Sequence, residues 1–100
     1  MSVLVTLKFS GNTGQFRQLL ESAPDRFAEI APEAQAAGCL HHRFGIGEGF
    51  VLVVDEWESA EQFNAFFSDP ELQQFIGEIG AAGGPPDLTF SEAVSSPDQF

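Results

Sequence analysis

Both histidines of this 100-residue chain stand side by side, in the run Cys39-Leu40-His41-His42-Arg43-Phe44. Imidazole titrates near neutrality, so it is the side chain best suited to carry a proton at physiological pH. A second run, Asp55-Glu56-Trp57, supplies two carboxylates and an indole. A carboxylate beside a histidine orients it, as in general-base pairs, and an indole N–H seeks an acceptor. His42 and His41 are therefore the candidate catalytic residues. Trp57, Phe63, Phe67, Arg43 and Asp55 are the candidate substrate-binding residues. Each has a plainer reading. Either histidine can be a satisfied core or surface imidazole, Trp57 can be packing, and Lys8 and Arg43 can simply neutralise an acidic chain.

Both runs read as strands, and neighbouring residues on a strand point to opposite faces. His41 and His42 then cannot share one pocket unless a bulge intervenes. Leu40, His42, Phe44 and Ile46 form the more apolar row; Cys39, His41, Arg43 and Gly45 form the more polar one. Which row faces a pocket stays open. Asp55 shares a face with Trp57, and Glu56 takes the other. Either acid orients a histidine only if the strand register brings them together.

The totals exclude several functions. Fifteen acids face four bases, for a net charge of −11. No clustered Lys and Arg are present to displace counterions, so nucleic acid is not an expected partner. An anionic membrane surface repels such a chain, and no apolar run approaches the length of a span. Cys39 is alone, so no internal disulfide forms, and no Cys/His cluster has zinc spacing. No phosphate-binding glycine loop or nucleophile elbow occurs. No metal or cofactor is expected. The opening MSVLVTLKF lacks the basic flank and apolar length of a signal peptide, which points to the cytoplasm.

The elements that position these residues are legible. Residues 2–10 read as a strand apolar on both sides, implying that both faces are covered. Residues 13–37 carry a helical apolar stripe from Phe16 to Ala34, capped by Asn12 or Thr13 and stopped by Gly38. Pro24 and Pro32 interrupt it, predicting a break near Ser22–Asp25 and a second near Pro32. Strands follow at 39–47 and 50–57, with Gly47-Glu48-Gly49 supplying the positive-φ positions of a hairpin. Ser59 and Gln62 form a capping box for a Phe-rich helix. Asp69 and Pro70 restart a further helix that Gly80 ends. Residues 81–86 are a loop, and 87–95 a last, alternating strand.

The order β-α-β-β-α-β is that of an α+β, ferredoxin-like fold with a four-stranded antiparallel sheet, in one domain spanning residues 1–100. Its helices cover one sheet face and leave the other bare. Eleven Phe exceed what a small monomer core readily hides. A second subunit, a bound ligand, or both are implied.

The stretch FVLVVDEWESAEQFNAFFSDPELQQF (50–75) resembles the antibiotic biosynthesis monooxygenase-like group of dimeric α/β-barrel proteins, and AAGCLHHRFG fits the same group. The resemblance implies a homodimer whose sheets pack into one barrel, with a pocket between each sheet and its helices. That would make His42 the pocket residue and His41 the dimer residue. The haem-degrading members carry an Asn on the first strand, a Trp on the helix after the third strand and a His on the next helix. Here those places hold Val5-Thr6-Leu7, Phe66 or Phe67, and Ile76 or a neighbour, which argues against haem degradation. Trp57 matches a structural position rather than that catalytic Trp. The expected function is a cofactor-independent monooxygenase acting on a small aromatic or polyketide-like substrate. The alternatives are a non-catalytic dimeric module that binds a hydrophobic metabolite, and a structural dimer with a collapsed, Phe-filled pocket.

Overall fold

The computed structural model of the chain describes residues 2–78 and 85–100. The elements run β1 (Val3–Ser10), α1 (Thr13–Ser22), α2 (Pro24–Ala37), β2 (Cys39–Gly47), β3 (Phe50–Trp57), α3 (Ala60–Phe67), α4 (Pro70–Glu78) and β4 (Asp87–Glu92). The sheet is fully antiparallel with order β2-β3-β1-β4, so β2 and β4 are its edges.

The local signals act where the chemistry predicts. Asn12 caps α1 by accepting the Gln15 N–H through its side chain. Ser59 does the same for the Gln62 N–H, and Asp69 Oδ1 accepts the Glu71 N–H at the head of α4. Gly38 ends α2 at a φ of 115°, a left-handed conformation that a Cβ disfavours.

Three details differ from the sequence reading. The long helical region breaks at Ala23, as expected, but α2 runs through Pro32 unbroken. The carbonyl that loses its partner there is that of Ala28, which is exposed, so water can satisfy it. In the hairpin only Gly49 has a positive φ, 75°. Gly47 has a different role, because a Cβ there would collide with the Phe50 ring. The last strand stops at Glu92, where β1 runs out as a partner. The expected helix stop at Gly80 and the start of the loop at 81–84 lie outside the described residues.

The core lies between the sheet and the helices. Val5, Leu7, Phe9, Val51, Val53 and Trp57 point to this side and are buried, and α1, α3 and α4 send in Phe16, Phe63 and Phe75. Within one chain only the helix face of the first strand is covered. Leu4 on β1 and Val54 on β3 remain 40% and 44% exposed on the other face. Among the described residues no helix is long and apolar enough to cross a membrane.

Candidate functional site

The site is built from β2 and β3. Their pairing sets His42 opposite Asp55, His41 opposite Glu56 and Arg43 opposite Val54. Cys39 pairs with Trp57, so the register shifts by one residue between Cys39 and His41 and leaves Leu40 as a bulge. The bulge corrects the assignment of rows. Strict alternation separates Cys39 from His42, whereas the extra residue returns both to the helix side of the sheet.

Asp55 is the only buried charged side chain among the described residues, 6% exposed. Both of its oxygens are engaged. The Trp57 Nε1–H donates to Oδ2 at 3.0 Å, and His42 Nδ1 lies 2.6 Å from Oδ1. A carboxylate only accepts hydrogen bonds, so Nδ1 of His42 carries the hydrogen. In that tautomer the ring presents a bare Nε2 as an acceptor. The ring is held on a second side by Phe44, edge to face at 4.7 Å. The result is a linear relay from a fully buried indole, through a buried acid, to an imidazole that is 47% exposed.

This relay opens onto a cavity of about 620 Å³ between the sheet and the helices. That is the volume range of small-molecule sites. Its walls are chiefly apolar, with Phe27 from α2, Phe63 and Phe67 from α3, and Phe75 from α4. The rings pack against one another, Phe63 stacking on Phe67 at 5.2 Å and Phe27 meeting Phe75 edge-on at 5.0 Å. The collapsed, Phe-filled pocket considered above is not what these helices enclose.

All seven candidate residues border this cavity. They do so unequally. Asp55, Trp57 and Phe63 are buried in its wall, with Phe67 and His42 beside them. His41 and Arg43 touch only the rim, because by register they share the opposite face with Glu56 and Val54. The expectation that two adjacent histidines cannot border one pocket fails at this rim, since β2 is an edge strand that the cavity meets side-on. Phe27 and Leu20, also in the wall, were read from sequence as core stripe. Periodicity marks a buried face but does not say whether it meets a neighbour or a void.

Cys39 also borders the cavity and is not an activated nucleophile. Burial, and then the nearby Asp55 charge, push its thiol up from 9.0 to about 11, against a small lowering from the His41 backbone. The thiol stays protonated and donates to the His41 carbonyl at 3.3 Å. Among the described residues, no group of three or more His, Cys, Asp or Glu side chains is placed to hold a metal ion.

Known structures share this architecture. A monooxygenase from the gene ActVA-Orf6 of Streptomyces coelicolor, solved with the ligand nanaomycin D, superposes with a TM-score of 0.69. It is 19% identical over 99% of this chain and 93% of its own. Rv0793 from Mycobacterium tuberculosis gives a TM-score of 0.63 at 18% identity, over 98% of this chain and all of that one. SnoaB, a cofactor-independent oxygenase from Streptomyces nogalater, gives 0.65 at 12% identity, over 98% of both chains. No curated protein matches the chain. The family model for antibiotic biosynthesis monooxygenases matches residues 3–78, from the first residue of β1 to the last of α4. The chain belongs to the antibiotic biosynthesis monooxygenase family.

Proposed function

We propose that the protein is a cytoplasmic, cofactor-independent monooxygenase that oxidises a small aromatic or polyketide-like substrate, working as a homodimer with each chain a single domain. The observation that carries this reading is the Trp57–Asp55–His42 relay ending in an aromatic-walled cavity. The similarity to SnoaB and to the Streptomyces coelicolor monooxygenase supports it. The dimer is supported by the bare sheet face around Leu4 and Val54.

The chemistry follows from the residues. A flat, electron-rich ring system slides between Phe27, Phe63, Phe67 and Phe75, which exclude water from it. Nε2 of His42 takes a proton from an activated methylene flanked by aromatic carbonyl chemistry. Asp55 stabilises the imidazolium that forms. The carbanion gives its electron pair to O₂, first one electron and then the other through a radical pair, and a C–O bond forms. The peroxide anion takes the proton back from His42. Loss of water from the hydroperoxide, with departure of the second methylene hydrogen, leaves a ketone. The balance is CH₂ + O₂ → C=O + H₂O, with one oxygen atom in the product and one in water. Substrate supplies all four electrons.

The test is oxygen uptake with a dihydroxyanthrone as probe. His42→Ala is expected to lower kcat by about 10²–10⁴-fold, the usual contribution of a positioned base. His41→Ala, on the other sheet face, is expected to stay within a few-fold of wild type. Equal rates in wild type and His42→Ala overturn the assigned base. Tight probe binding with no oxygen uptake by the wild-type protein favours the non-catalytic binding module.

A further inference from the structure

One face of α2 borders the cavity, and it carries a polar residue that the relay does not use. Phe27, Ala28, Ile30, Ala31, Ala34 and Gln35 line the wall at helical spacing. All but Gln35 are apolar. Other glutamines of the chain are tied down. Gln15 donates to the Glu78 carbonyl, Gln62 to the Glu58 carboxylate and Gln73 to the Phe67 carbonyl. Among the described residues nothing holds the Gln35 amide, which is exposed where it meets the cavity. Its place follows from the chain. Gly38 closes α2 by donating its N–H to the Ala34 and Gln35 carbonyls, and Cys39 begins β2. Gln35 therefore stands at the Cys39 end of the cavity. Cys39 and His42 meet Trp57 and Asp55, two residues apart on β3, which puts about 7 Å of strand between that end and the base.

The reaction proposed above leaves one charge unanswered. When Nε2 of His42 takes the methylene proton, the C–H electron pair moves through the ring system onto the carbonyl oxygen. An oxyanion between apolar walls is costly without a donor. The donors nearest the base are committed. The Trp57 and His42 N–H groups serve Asp55, and the Cys39 thiol serves the His41 carbonyl. His41 and Arg43 belong by register to the other face. We propose that Gln35 is the oxyanion donor of this site, its side-chain amide hydrogen-bonding to the substrate carbonyl while His42 works on the methylene across the same ring. This rests on the monooxygenase reading and adds a catalytic residue to it. The amide gives no proton away. The proton goes to His42, the electron pair goes to the enolate, and the Gln35 N–H holds the oxygen. The substrate then lies in one direction, carbonyl toward the end of α2 and methylene toward β2. Gln35 also selects among substrates. A ring ketone with no hydroxyl beside its carbonyl depends on the amide fully, and one with flanking hydroxyls, which already donate to that oxygen, depends on it less.

The experiment is an anaerobic spectrophotometric titration of anthrone, whose carbonyl has no internal donor, bound to wild type, Gln35→Leu and Gln35→Glu. Oxygen uptake is measured in parallel. Gln35→Leu is expected to raise the pH at which bound anthrone ionises by about one to two pH units, the loss of one hydrogen bond to a charged acceptor. It is expected to lower kcat about 10- to 100-fold for the same reason, with KM within a few-fold. Gln35→Glu keeps the shape, replaces the donor by an acceptor, and is expected to move both readouts further. The same ionisation in all three proteins, with oxygen uptake intact, overturns this inference and leaves the monooxygenase reading standing. The expected rise in ionisation pH, with no oxygen uptake by the wild type, overturns that reading and keeps the donor. A wild type that neither binds nor ionises anthrone overturns both.

Discussion

The two faces of the sheet use the same strands for opposite ends. On the helix face β3 presents Val51, Val53, Asp55 and Trp57, all buried. On the open face the alternate residues of the same strand, Leu52, Val54 and Glu56, remain at least partly accessible, with Val54 at 44%. The helix face holds the charge that is costly to bury and satisfies it completely, since no buried side-chain polar atom among the described residues lacks a partner. The open face holds polar groups that satisfy themselves locally. Ser2 Oγ donates to Glu56 at 2.6 Å, and Lys8 lies over the Phe50 ring at 4.4 Å. The difference shows that apolar content does not decide which face becomes a site. Both faces are apolar; only one is walled by helices, so only there is a carboxylate held dry and fixed against an imidazole.

The sharpest way to break this contrast is to empty the helix face. Trp57 is 1% exposed and packs against Phe63 and Phe66, at 5.6 and 5.5 Å. Trp57→Ala is expected to cost about 3–5 kcal/mol in urea unfolding, by cavity formation and by the loss of a donor to Asp55. A cost below about 1 kcal/mol would show that the relay is not set in a packed core.

The Cys39 thiol tests the same face by pH. Its folded pKa, about 11, lies above the ordinary value of 9.0 that the unfolded chain takes. The unfolded state therefore releases its proton first as pH rises. Stability is full below pH 9 and is lost between pH 9 and about 11. The total is of order 2–3 kcal/mol. A thiol reagent at pH 8 is expected to react slowly with the native protein and rapidly in denaturant. Fast native labelling would mean that the cavity wall opens.

A smaller effect separates the faces at adjacent positions. Val53→Ala is expected to cost about 2 kcal/mol, and Val54→Ala under about 0.5 kcal/mol in the isolated chain. If the Val54→Ala cost grows with protein concentration, a second copy covers that face. The smallest contrast uses two glycines of β2. A Cβ at Gly47 collides with the Phe50 ring, whereas one at Gly45 meets the Leu52 Cβ at an ordinary 3.8 Å. Gly47→Ala is expected to cost about 1 kcal/mol as the ring leaves its rotamer. Gly45→Ala is expected to be neutral or slightly stabilising, because glycine is a weak strand residue. Thermal unfolding of the two variants distinguishes them.

Much of this molecule was legible in its residues. The hairpin strands begin and end where the sequence says, at Cys39, Gly47, Phe50 and Trp57, because turn glycines and β-branched runs act locally. The caps at Asn12 and Ser59 form for the same reason, since a side chain three residues from its donor needs no tertiary contact. Pro32 was misjudged because its penalty depends on whether water reaches the carbonyl it abandons.

The chemistry was legible as a set of residues and not as a site. The sequence by itself determined the element order, the antiparallel sheet with one bare face, and the short set His41, His42, Asp55 and Trp57. Tertiary structure alone decided that the pair His42–Asp55, and not His41–Glu56, lies on the face that the helices wall. The reason is that strand pairing has a period of two. The turn at Glu48-Gly49 sets Gly47 against Phe50 and so His42 against Asp55, but which of the two alternating rows meets the helices is a long-range packing choice that no local pattern encodes, and the bulge at Leu40 only brings Cys39 onto the same face.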